Sequence, residues 1–70
     1  MQFHEILNQH LGPLRRAEVA AAAGVDPSTL WRWASGAQRP SREALRALLV
    51  ALDIEPGGAD HEALQRAWMA

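Results

Sequence analysis

Hydroxyl, indole and guanidinium groups recur at helical spacing over Ser28, Trp31, Arg32 and Ser35, which sets them along one side of a helix. A large aromatic beside an arginine on an outward face invites association unless it has something to contact. Groups for bond-making chemistry are scarce elsewhere. The chain has no cysteine and no tyrosine, which excludes disulfides, thiolate nucleophiles and thiolate metal sites. His4 and His10 are six residues apart, a separation that does not bring two imidazoles together on a metal as an i,i+4 pair would. His61 and Glu62 are adjacent, and neighbours on a helix point about 100° apart and form no dyad. No Gly-rich phosphate loop is present. The sequence therefore predicts no enzyme, cofactor, metal site or small-molecule ligand.

The helix that carries this face is well marked. Asp26 can serve as its N-cap, Pro27 loses no hydrogen bond at the first helical position, Gly36 stops it and Pro40 prevents its continuation. Leu30, Trp33, Ala34 and Ala37 recur at i, i+3, i+4 and i+7 and should point at a core. A shorter helix precedes it, from Arg16 to Ala23, closed by Gly24 in the left-handed conformation. Its inward face is Val19, Ala20 and Ala23, with Val25 buried in the turn and Leu14 anchoring its start. So short a connection forces the two helices to cross steeply, and small side chains at Ala20 and Ala23 let them approach. The stretch 16–36 reads as a helix-turn-helix.

The remaining elements are scaffold. A first helix over 1–12 buries Phe3, Ile6, Leu7 and Leu11 and ends at Gly12-Pro13. A fourth over 42–53, capped by Ser41 with Glu43 in its first turn, buries Leu45, Leu48, Leu49 and Leu52, with Ile54 following. After the loop Pro56-Gly57-Gly58, a fifth helix over 60–69, capped by Asp60, carries a stripe of Ala63, Leu64, Ala67 and Trp68 with Met69 beside it. That stripe packs on the first and fourth helices, pairs with another chain, or does both, so Leu64, Ala67 and Trp68 are candidate dimer contacts. The fold class is all-α, a compact bundle of five short helices in one domain over 1–70. A core of this size supplies about 3–5 kcal/mol, which makes oligomerisation an expectation.

Charge is unevenly placed. The net charge is −1, which alone argues against a nucleic-acid partner, since phosphate neutralisation dominates such affinity. Within 15–46, however, six arginines stand against Glu18, Asp26 and Glu43, leaving +3, while 1–14 carries −1 and 47–70 carries −3. All seven basic residues are arginine, whose fork suits phosphate and guanine geometry. The chain has no apolar run of about 20 residues, and no basic segment followed by an apolar one at its start. The expectation is a soluble, intracellular protein with no membrane partner.

The segment LRRAEVAAAAGVDPSTLWRWASGAQRPSREALRALLVALDI resembles the phage repressor and Cro-like helix-turn-helix domains, including small bacterial regulators of that superfamily. The resemblance covers about residues 3–54 and is carried by Ala20, Gly24-Val25, Ser28-Thr29-Leu30, Trp33, Ser35-Gly36 and Pro40. It implies that the third helix lies in the DNA major groove and that dimers read half-sites about 34–36 Å apart. Pro27, Ser28, Trp31 and Arg32 stand where counterparts touch base edges. Thr29 and Ser35 stand at backbone or peripheral contacts, Arg16 where a glutamine often meets phosphate, and Gln38 and Arg39 in a loop that touches the backbone. Arg15 replaces the Ser or Thr that commonly caps the second helix and either weakens the cap or serves phosphate. Ala34 replaces an acidic residue that pairs with a basic one on the first helix, so that ion pair should be absent. Pro27 cannot donate to a base, which leaves reading to Arg32, Ser28 and Trp31.

Two functions compete. One is a DNA-binding transcriptional regulator, a homodimeric repressor of a (pseudo)palindromic operator, in the cytoplasm or nucleoid of a bacterial or phage-infected cell. The other is a protein-interaction adaptor or antirepressor that keeps the fold. For Trp31 two environments remain open at this level: part-buried under a neighbouring helix or loop, or exposed to a thymine methyl, sugar or phosphate.

Overall fold

A computed structural model describes residues 2–12 and 16–70. It contains α1 (Phe3–Leu11), α2 (Arg16–Ala23), α3 (Pro27–Ser35), α4 (Arg42–Ala51) and α5 (Ala59–Met69), and no strand among the described residues. The anchoring expected of Leu14 and the phosphate or capping role of Arg15 fall outside the described residues.

Each helix buries one stripe. Leu7, Leu11, Leu30, Leu45, Leu48 and Leu64 are wholly enclosed, with Phe3, Val19, Ala20, Trp33, Ala34, Leu49 and Leu52 completing the core. Fully burying a leucine contributes about 1.5–3 kcal/mol, so these positions dominate the stability of so short a chain. The helix-turn-helix pair packs on both neighbours: α2 lies against α4 and α3, α1 against α3, and α5 against α1. Ala20 is fully buried and Ala23 half-buried, the small residues that let α2 approach closely. Val25 and Ile54 are half-buried against the core rather than inside it.

Three successive helices end with one arrangement of backbone hydrogen bonds, in which two consecutive N–H groups past the end reach back to carbonyls of the last turns. After α2, Gly24 donates to Ala21 and Val25 to Ala20, at 3.1 and 2.9 Å. After α3, Gly36 donates to Trp33 and Ala37 to Arg32, at 3.3 and 3.0 Å. After α4, Asp53 donates to Val50 and Ile54 to Leu49, at 3.0 and 3.1 Å. The residue at the bend has φ of +75° in Gly24, +82° in Gly36 and +57° in Asp53. Glycine is thus demanded twice by the backbone, and the third site is filled by an aspartate that tolerates the left-handed region.

Helix starts correct the sequence reading in two places. Ser41 caps α4 as expected, its Oγ accepting from Ala44 N–H at 3.1 Å. Asp26 occupies the N-cap of α3 in extended conformation but its side chain makes no capping bond. Asp60 is not the cap of α5: the helix starts earlier, with Gly58 at the N-cap and Asp60 in the first turn, where the helix dipole still favours a carboxylate. Ala37, placed by spacing on the buried side of α3, is exposed. The left-handed bend at Gly36 ends the periodicity one residue earlier, so the extrapolation to i+7 has no helix to follow.

Candidate nucleic-acid interface

The α3 helix exposes one face completely. Pro27, Ser28, Trp31, Arg32 and Ser35 are all exposed, with Thr29 half-buried, while Leu30, Trp33 and Ala34 point inward. Trp31 is 61% exposed, so no neighbouring helix or loop among the described residues covers it. The Ser35 hydroxyl donates to its own helix, to the Arg32 carbonyl at 3.2 Å, leaving its oxygen lone pairs free to accept. That same carbonyl receives the N–H groups of Ala37 and Gln38, at 3.0 and 3.2 Å. The chain leaving α3 is therefore folded tightly back against the residue whose side chain faces outward.

A residue that sequence reasoning passed over organises the approach to this face. Asn8 on α1 donates through Nδ2 to the carbonyl of His4 at 2.9 Å and to that of Ala34 on α3 at 2.6 Å. Its Oδ1 accepts from Arg16 Nη2, at the start of α2, at 3.3 Å. One amide therefore joins three helices. The acidic side chain that the resemblance implied beside Trp33 is replaced by Ala34, and the link from α1 to α3 runs through the Ala34 backbone carbonyl instead. A neutral donor suffices because a backbone acceptor carries no charge to balance. The signal in the sequence was an amide four residues after His4 and three before Leu11, at the edge of the buried stripe.

The loop after α3 is fastened to α5. Pro40 is buried, and its carbonyl accepts from the Trp68 indole N–H at 2.7 Å. The Arg39 guanidinium lies 6.0 Å from the centre of the Trp68 ring and donates to the Ala67 carbonyl at 3.5 Å. Gln38 and Arg39 are exposed. Of the residues expected to meet a second copy, Leu64 is wholly inside the protomer, whereas Ala67 and Trp68 are half-buried and Met69 is exposed. α5 packs on α1, and Leu64 is the residue that it buries.

Among the described residues no three His, Asp or Glu side chains gather in a way that could hold a metal ion. Nor is any helix among them long and apolar enough to cross a membrane.

Two packed helices joined by the short turn Gly24-Val25-Asp26, with a core-facing and an open side on the second, define a helix-turn-helix protein. Residues 7–64 match the family model described as a helix-turn-helix domain. The chain belongs to that family, which is typical of Cro-like DNA-binding domains and typically not enzymatic. No curated protein and no solved structure matched the chain.

Proposed function

We propose that the chain is a sequence-specific transcriptional regulator that places α3 in the DNA major groove and represses by occupying an operator as a homodimer. The observation that carries this reading is the outward face of α3, where Trp31 and Arg32 stand exposed directly opposite the residues that anchor the helix in the core. Arg32 supplies the fork that pairs with a guanine edge, and Trp31 a flat surface for a thymine methyl or sugar. Ser28 and Thr29 flank them, with Pro27 in apolar contact and Ser35 at the periphery. Arg16, steadied by Asn8, holds phosphate at the start of α2, and Arg15, Gln38 and Arg39 extend that backbone contact.

Few polar groups read bases, and a good bidentate pair gives about 1–3 kcal/mol of discrimination. Tight binding then needs paired half-sites, which is the support for a homodimer. Because Leu64 lies inside the protomer, pairing through α5 would use only the rim of Ala67, Trp68 and Met69. The setting that fits is the nucleoid of a bacterial or phage-infected cell.

Selection of bound duplexes from a random pool supplies the operator, and titration of variants against it tests the assignment. Arg32→Ala should remove about 1–3 kcal/mol of preference for the operator over random duplex, leaving random-duplex affinity nearly unchanged. Arg16→Ala should weaken both duplexes alike and flatten the salt dependence. Equal loss on both duplexes for Arg32→Ala would refute the major-groove placement of α3. Absence of any shift with mixed duplexes at low salt and micromolar protein would favour the adaptor instead.

A further inference from the structure

We infer that Trp68 is a positioning residue for the phosphate-contacting loop, and that α5 serves the DNA site as a strut inside the protomer. This rests on the DNA-binding reading above and deepens it. Three contacts converge on the last turn of α5 from the loop that leaves α3. The indole N–H donates to the Pro40 carbonyl at 2.7 Å, the Arg39 guanidinium lies 6.0 Å from the centre of the indole ring, and Arg39 Nη2 reaches the Ala67 carbonyl at 3.5 Å.

The geometry of those contacts separates two jobs. The short bond belongs to Pro40, a residue with no N–H of its own whose carbonyl is fixed by a donor from a different helix. It sets the path of the loop between Gly36 and Ser41, the N-cap of α4. The long contacts belong to Arg39, an exposed side chain on which the ring acts from one side. At 6.0 Å over the ring the guanidinium is drawn to its face, and a guanidinium carries five N–H donors, of which the Ala67 carbonyl receives one. An arginine held this way keeps most of its donors for phosphate and loses less side-chain freedom when it binds. Without the indole the same arginine would have to be ordered by DNA alone. Leu64 on α5 is fully buried and α5 packs on α1, so the strut has a rigid footing.

The test uses the full chain and a fluorescent mixed-sequence duplex titrated over a series of salt concentrations, with the selected operator in parallel. Trp68→Phe removes the N–H donor that sets the path of the loop, so Arg39 is no longer carried to its place over the ring. Its affinity for both duplexes should fall several-fold, and its salt slope should drop by about one. Arg39→Gln should do the same, and the double variant should lose no more than Arg39→Gln alone. A merely structural tryptophan would lower the melting temperature and the affinity without changing the slope, and its effect would multiply with that of Arg39→Gln; either result overturns the inference. Arg39 is exposed, so Arg39→Gln stays folded even if Trp68→Phe does not, and an unchanged slope in that variant also overturns it. If the unaltered protein binds no duplex, the DNA-binding reading falls and takes this inference with it. If it binds, and Arg32→Ala erases operator preference while Trp68→Phe and Arg39→Gln leave the slope intact, this inference alone falls.

Discussion

Trp31 and Trp33 sit two residues apart on one helix and meet opposite surroundings: the first is 61% exposed and the second 3%. The inner side of α3 is shared by Leu30, Trp33 and Ala34, all buried in the core, whereas the outer side of Ser28, Trp31, Arg32 and Ser35 faces away from it. The two tryptophans have the same apolar area to hide, and only one hides it. Burial of that area is what folds the chain, so an exposed indole adds little to stability and stays available to another molecule. The difference teaches that the two sides of α3 are separable: folding is written on one and recognition on the other.

The largest expected effect breaks the inner side. Trp33→Ala should cost about 3–5 kcal/mol, comparable to all the stability that a core of this size supplies. Circular dichroism should therefore show a chain largely unfolded at room temperature. Trp31→Ala should leave the thermal melt within about 0.5 kcal/mol of the parent, as surface substitutions do, while weakening operator binding. A cooperative melt of Trp33→Ala near that of the parent, or a clearly lowered melt for Trp31→Ala, would show that the two sides are not separate.

A smaller effect tests how α3 is closed behind the recognition face. Gly24 and Gly36 have nearly equal φ, +75° and +82°, but a Cβ on Gly24 would meet nothing within 4 Å, whereas one on Gly36 would meet the His4 ring at 3.0 Å. Gly24→Ala should cost only the left-handed backbone term, about 1 kcal/mol. Gly36→Ala should cost about 1–2 kcal/mol more, because the half-buried imidazole must give way. Adding His4→Ala to Gly36→Ala should recover the steric part and leave the backbone part. Equal urea midpoints for the two glycine variants would mean that His4 moves freely.

Much of this architecture was legible because the signals were local. Pro27, Gly24, Gly36 and Ser41 mark helix ends through backbone geometry that depends on one residue at a time, and the stripes of leucine give the buried faces directly. The outward position of Trp31 and Arg32 followed from the same periodicity. What escaped depends on distant partners. Asn8 looks like any polar residue on α1 until α2 and α3 bring Arg16 and the Ala34 carbonyl to it. Trp68 could be assigned to a core or a dimer from its stripe, but its bond to Pro40 spans 28 residues and no spacing rule contains it. The misplaced cap at Asp60 has another cause: Gly58 already adopts the extended N-cap conformation, so the helix begins before the better capping side chain is reached.

The smallest expected effect sharpens the comparison from the side of stability alone. Asp53 closes α4 with φ +57°, the same role that glycine plays after α2 and α3. Replacing it with glycine removes the cost of holding a side chain in the left-handed region, against which stands the greater freedom that glycine has in the unfolded chain. The balance should favour the folded state by about 0.5 kcal/mol, because aspartate tolerates this region better than most residues and the gain is correspondingly modest. For a domain of this length that is a rise of about 2–4 °C in melting temperature. Asp53 lies after α4 and outside the outward face of α3, so operator preference should stay where it was. Asp53→Gly would then raise stability at constant preference, while Trp31→Ala lowers binding at constant stability. A change of operator preference in Asp53→Gly would mean that the closure of α4 is transmitted to the recognition side of α3, and that folding and recognition are coupled through the core rather than divided across one helix.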